Sequence, residues 1–113
     1  MWMTVGGQRF AIALDGTDAA RAFVALVPMS IDMADLNANE KHGDLSRALP
    51  TNVIRPGTIH AGDLMLYGSK TLVVFYKTFE SSYPYTRIGH IDRPAELAKA
   101  LGGTNARLEF SAN

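Results

Sequence analysis

The sequence predicts a mainly β fold with two short helices. Three observations carry this: several short runs alternate apolar and polar residues, only two stretches repeat apolar residues at helical spacing, and turn-forming residues separate the runs. Ten Gly, five Pro and 47% hydrophobic residues in 113 suit a compact, turn-rich domain. A chain of this length predicts one domain, residues 1–113, able to bury one core without a covalent staple. No internal repeat is visible.

Residues 2 to 14 read as a hairpin: a short apolar segment, Gly6-Gly7 free to take positive φ in a two-residue turn, then Phe10, Ile12 and Leu14 alternating on one face. Asp15-Gly16 turns the chain and Thr17 caps a helix, with Ala19, Ala22, Phe23 and Leu26 on one face, that Pro28 stops. Ser30 to Leu36 reads as a strand with Ile31 and Met33 inward, with helix as the alternative because its Ala, Met and Leu suit both. From Asn37 to Gly62 the periodicity fades, over about twice the usual length of a connection, and such segments are either functional or built of short irregular strands.

Asp63 to Tyr67 and Thr71 to Tyr76 form two strands joined at Gly68-Ser69-Lys70. The second is apolar on both faces, because Leu72, Val74 and Tyr76 alternate with Val73 and Phe75, which makes it a central strand or one covered by a helix. Thr86 to Ile91 is a further strand, and Gly89 within it marks a bulge, a bend or a close backbone approach. His90 shares a face with Thr86 and Ile88, where a hydrogen-bonded structural histidine is expected. Asp92 then caps a helix with Pro94 in its first turn, Leu97 and Leu101 inward and Gly102 as its stop. Ala106, Leu108 and Phe110 alternate in a closing strand.

Eleven basic and eleven acidic side chains cancel, so no long-range field attracts nucleic acid or an anionic membrane, and neither is an expected partner. The absence of Cys removes disulfides, a thiolate nucleophile and Cys-based zinc sites, and fits a cytoplasmic protein. The N-terminal residues lack the basic and apolar segments of a signal peptide, and no run approaches the roughly 18 apolar residues of a membrane span. A phosphate loop, a nucleophile elbow and a His-Glu-x-x-His run are all missing, and no cofactor or metal is expected.

The phrases "VGGQRFAIAL" and "DGTDAARAFVAL" resemble the opening of cyclophilins, and "TRIGHIDRPAELAKAL" is similar to their strand and closing helix, with Ile88-Gly89-His90-Ile91 in place of a Phe-Gly-Lys-Val signature. "DLNANEKHGDL", "PGTIHAGDLMLYG" and "FYKTFESSYPYTRIGHID" look like the small bacterial cyclophilin-like proteins, a compact version of that barrel. The resemblance spans nearly the whole chain. It implies a closed antiparallel β-barrel with helices covering its ends, an arrangement that removes exposed sheet edges.

Cyclophilins are prolyl isomerases, and the resemblance raises that activity. Rotation about an Xaa-Pro bond crosses a barrier of ~20 kcal/mol, which an enzyme lowers by holding the ring in an apolar pocket and offering a donor to the prolyl nitrogen. In cyclophilins the donor is an Arg in a Phe-His-Arg phrase, followed by a Gln-Gly-Gly phrase. Here "SIDMADLNANEKHGDL" contains neither phrase and no Arg, leaving Arg47, Arg55 and Arg87 as replacements, of which Arg87 adjoins an aromatic stretch. An outward, solvated strand residue is the plainer reading of Arg87.

In that stretch Tyr76, Phe79, Tyr83 and Tyr85 crowd together, either as a binding rim of flat apolar surface and hydroxyls or as residues that close the barrel and pack on its outside. Ser81, Ser82 and Thr86 add hydroxyls, which turns also collect. Glu40, Lys41 and His42 form the polar centre of the long connection, as an acid–base pair or metal ligands with Asp44 as a third group, or as a turn with solvated charges. The expectation is a barrel that binds a peptide segment or small apolar ligand against Tyr76, Phe79, Tyr83 and Tyr85, with Arg87 as polar anchor and Glu40 and His42 as a neighbouring wall. A prolyl isomerase with a non-standard donor and a homo-oligomer using the same surface are the alternatives.

Overall fold

The computed structural model describes residues 1–113. Eight strands close into one antiparallel barrel: β1 (Trp2–Val5), β2 (Gln8–Leu14), β3 (Met29–Leu36), β4 (Glu40–Asp44), β6 (Asp63–Tyr67), β7 (Thr71–Phe75), β9 (Thr86–Ile91) and β10 (Ala106–Ser111). Around the barrel they run β1-β10-β3-β4-β7-β6-β9-β2, and β2 returns to β1. Two short strands, β5 (Thr58–Ile59) and β8 (Phe79–Glu80), pair with each other outside it. Helices α1 (Asp18–Val24) and α2 (Pro94–Leu101) complete the fold. No helix is long and apolar enough to cross a membrane.

The expected elements are present, with three corrections. The connection from Asn37 to Gly62 contains a full barrel strand, β4, which pairs with β3 on one side and β7 on the other. Asn37 and Ala38 stand at φ 56° and 53°, and the Asn39 N–H meets the Leu36 carbonyl at 3.2 Å. This is a tight hairpin turn that usually places Gly second. Ala38 hides it from a sequence reading.

The second correction concerns α2. Asp92 does not cap it: the carboxylate accepts the Ala11 N–H at 3.0 Å, and the residue before the helix is Arg93, in the left-handed region with no side-chain cap bond. Pro94, which needs no N–H partner, then starts the helix. Thr17 caps α1 as expected, accepting from the Ala20 N–H at 3.0 Å, and its hydroxyl donates to the Arg87 carbonyl at 2.9 Å, tying the helix to β9.

The third lies in β9. Leu64 pairs with Gly89 and Met65 with Arg87, so Ile88 is an extra residue, a bulge. The bulge breaks the alternation: Ile88 and Ile91 are both buried, while His90 turns outward and sits 3.2 Å from an Asp63 carboxylate oxygen through Nδ1. His90 therefore does not share the inward face of Ile88.

Two apolar clusters result. The barrel interior holds Met3, Phe10, Phe23, Leu66, Leu72, Val74, Ile88 and Phe110 among others, with Phe23 and Phe110 edge-to-face at 5.2 Å. The second cluster, Ile59, Met65, Val73, Phe75 and Tyr85, lies on the outer face of the sheet. β7 is central, as its two-sided apolar pattern requires: Leu72, Val74 and Tyr76 point into the barrel, and Val73 and Phe75 point out under β5 and β8. The cover is a strand pair and an irregular segment rather than a helix. That segment is held down by an Asn52 N–H to Thr86 hydroxyl bond of 3.1 Å and by reciprocal backbone bonds of 2.9 Å between Ile54 and Tyr85.

Candidate functional site

Over the second cluster opens a cleft of about 580 Å³. Its floor is Val73 of β7, one wall is Glu40 and His42 of β4 with Asn39 of the preceding turn, and the other is Phe79, Tyr83 and Tyr85. Strand alternation explains the first wall. Glu40 pairs with Phe75 and His42 with Val73, so both share the outer face of β7, while Lys41 between them pairs with Val74 and turns into the barrel.

Five of the seven residues expected at a site therefore meet at one cleft: Glu40, His42, Phe79, Tyr83 and Tyr85. Tyr76 and Arg87 do not line it. Tyr76 is 5% exposed inside the barrel, where its hydroxyl donates to Asp35 and its ring lies 5.1 Å from the Lys41 ammonium. Arg87 stands on β9 opposite Met65, and neither it nor any other Arg or Lys lines the cleft. Arg55 donates to the Ser82 carbonyl and does not line the cleft either.

The aromatic stretch divides between core and rim. Tyr85 is 4% exposed and meets Phe75 edge-on at 5.4 Å, and Phe79 packs on the same ring at 5.8 Å. Tyr83 is 61% exposed at the mouth. Tyr67, to which the sequence assigns no role beyond ending a strand, meets Tyr85 at 5.7 Å and Tyr83 at 6.3 Å, bridging core and rim. An outward aromatic at a strand end is its only sequence signal.

The electrostatics separate the two faces of β4. Inside, Lys41 Nζ donates to Asp35 Oδ1 at 2.8 Å and to the Gly102 carbonyl at 2.9 Å. Hydrogen bonds from Lys41 and then from Tyr76 hold the Asp35 carboxyl below its ordinary range. Burial, and secondly the Asp35 bond, pushes the Tyr76 hydroxyl up to about 12. Outside, Glu40 is 8% exposed and has neither ion pair nor hydrogen bond to moderate its burial. Desolvation first, and the Asp35 charge second, raise its carboxyl to about 7. Burial and then the Glu40 charge raise the Tyr85 hydroxyl as well. The Asn39 side-chain oxygen is also buried without a donor. No group of three or more His, Asp or Glu converges so as to hold a metal ion.

A carboxyl raised in the folded state favours folding while protonated. That contribution is whole below its unfolded value of 4.5 and is lost as the pH rises through about 7. The glutamine isostere has no such loss. The Glu40→Gln variant is therefore expected to match the parent near pH 5 and to exceed it by about 2 kcal/mol near pH 8, a figure reduced for the carboxyl's opening onto solvent in the cleft. Urea unfolding at the two pH values measures it, and equal stability at pH 8 would refute the buried, unpaired carboxyl.

No curated protein and no solved structure matches the chain. The model of the Cyclophilin-like family matches residues 3–111, from the second residue of β1 to the last of β10. That span takes in all eight barrel strands, both helices and every wall of the cleft, and on it the chain belongs to the Cyclophilin-like family.

Proposed function

We propose that the protein is a binding domain that takes a small molecule or a peptide segment in the outer cleft. One observation carries the reading: residues far apart in sequence, Glu40 and His42 from β4 and Phe79, Tyr83 and Tyr85 from beyond β7, line one concave space of ligand size with one aromatic wall. The rim supports it too, since Tyr67 and Tyr83 remain 47% and 61% exposed, with flat apolar area available to a partner.

Amide chemical shifts followed during titration test this, with a panel of aromatic fragments of each charge and Xaa-Pro tetrapeptides. The expected result is a response confined to the cleft walls for at least one class. Tyr83→Ala is expected to weaken that binding about 10-fold, equivalent to about 1.4 kcal/mol, and to leave stability within about ±0.5 kcal/mol because the ring is outside the core. Tyr85→Ala is unsuited to the purpose, because Tyr85 belongs to the second core cluster. A panel that moves no cleft amide would overturn the reading.

His42 favours a second reading, prolyl isomerisation. It is the one residue on the cleft wall whose ring N–H can be turned to a prolyl nitrogen, beside Val73, Phe79 and Tyr85. NMR exchange between cis and trans Xaa-Pro peptides, with His42→Ala alongside, decides it: acceleration lost in the variant supports catalysis, and no acceleration by the folded parent leaves binding alone.

A further inference from the structure

We infer that the outer cleft selects a small free organic cation, an ammonium group carried on an apolar or aromatic body. This rests on the binding reading and adds its charge. A carboxyl left without a partner points to it.

Two carboxyl residues, Glu40 and Glu80, line the cleft, and no Lys or Arg does. Glu80 is partly engaged, since one of its oxygens accepts the Thr58 hydroxyl at 2.7 Å. Glu40 is not engaged at all. The neighbouring cation cannot serve it, because successive side chains of a strand point to opposite faces and Lys41 is committed inside the barrel to Asp35 and the Gly102 carbonyl. A carboxylate that is only 8% exposed, without a cation or a donor, is a costly arrangement, and a bound cation removes the cost.

An ammonium head brings three donors and a positive charge to Glu40. An anion would face two carboxyls, and a neutral acceptor would leave Glu40 as it is.

The rest of the cleft suits the remainder of such a molecule. Tyr67 stands at 79° to Tyr83 and at 60° to Tyr85, a corner of rings whose negative faces attract a cation and whose area accepts an apolar body. A volume of about 580 Å³ is that of a small-molecule site.

The test compares three molecules of one shape on the full chain at pH 8: 2-phenylethylamine, 2-phenylethanol and phenylacetate, followed by amide shifts and calorimetry. The amine is expected to bind at least 10-fold more tightly than the alcohol, with no binding of phenylacetate. Glu40→Gln, which keeps the side chain's shape, is expected to remove the amine's advantage over the alcohol. A blocked lysine peptide forms a fourth arm, expected to bind more weakly than the free amine. Equal binding of amine and alcohol, preference for phenylacetate, an unaffected Glu40→Gln variant, or a peptide that binds more tightly than the amine would each overturn the inference. In all four cases the cleft still binds, so the binding reading survives. If none of the four molecules, and none of the wider fragment panel, moves a cleft amide, both fall.

Discussion

Replacing Lys41 by Ala is expected to cost about 3–5 kcal/mol of folding stability, the largest effect of any single substitution in β4. Lys41 is wholly buried, so its ammonium has no water to fall back on. Its charge is tolerated because Asp35 Oδ1 lies at 2.8 Å, the Gly102 carbonyl at 2.9 Å and the Tyr76 ring at 5.1 Å. Truncation removes the charge from that set, leaves Asp35 to the Tyr76 hydroxyl and the Ala38 N–H, strips the carbonyl at the end of α2 of its donor and opens a hole the length of a lysine stem. A fall in Tm of roughly 10 °C or more is the expected reading. Lys41→Met fills the hole without restoring the charge and should recover only part of the loss. The double variant Asp35→Leu/Lys41→Met removes both charges but leaves the Tyr76 hydroxyl, the Ala38 N–H and the Gly102 carbonyl without their partners, so it too should recover only part of the loss. A cost below about 1 kcal/mol for Lys41→Ala would show that the network does not hold the barrel mouth together.

Gly89→Ala is expected to cost about 3 kcal/mol for a different reason, contact rather than charge. A Cβ at Gly89 would stand 2.5 Å from the Ala13 carbonyl oxygen and 3.3 Å from Ile12 Cγ2. The oxygen is main chain in a paired strand, so it cannot rotate away as a side chain would. Either β2 parts from β9, which opens the barrel where Leu14 pairs with Gly89, or the Ile88 bulge moves. Gly16→Ala is the control: nothing lies within 4 Å of its Cβ position, and its stability should stay within about ±0.5 kcal/mol of the parent. Denaturation by urea compares the two, and a Gly89→Ala protein as stable as the Gly16→Ala protein would mean that β2 and β9 have room to separate at little cost.

Both residues also show how far a sequence can be read. Gly89 is legible: a glycine inside an otherwise regular strand signals a bulge or close approach, and here it marks both. Lys41 is not. A strand with charged residues pointing inward and outward alike, Glu40 toward the cleft and Lys41 into the barrel, has no apolar alternation to reveal it. Its turn is hidden too, since Ala38 occupies a position where Gly would have announced a hairpin. From sequence β4 therefore looks like connection, although the chemistry of Glu40 and His42 singles the segment out.

The aromatic stretch is legible as a group and not residue by residue. Spacing along 76–85 shows that four rings are close, but not that Tyr76 turns into the barrel, that Tyr85 joins a second core, or that Tyr67 on another strand links that core to the rim. Arg87 stands out because it is a neighbour in the chain; its pairing with Met65 puts it on the outer face, but on β9, which β6 separates from the β7 floor of the cleft.

By itself, then, the sequence determined which segments are strands and helices wherever burial is one-sided, the closed barrel through the phrases it shares with its family, and the absence of cysteine chemistry. Tertiary structure alone decided which ring is core and which is rim, that Lys41 is matched by Asp35 while Glu40 is matched by nothing, and that both walls of the cleft face one another. The physical reason is range. Alternation and turn chemistry act between residues a few positions apart, whereas the partner of a buried charge or ring is set by which strands the closing barrel brings side by side.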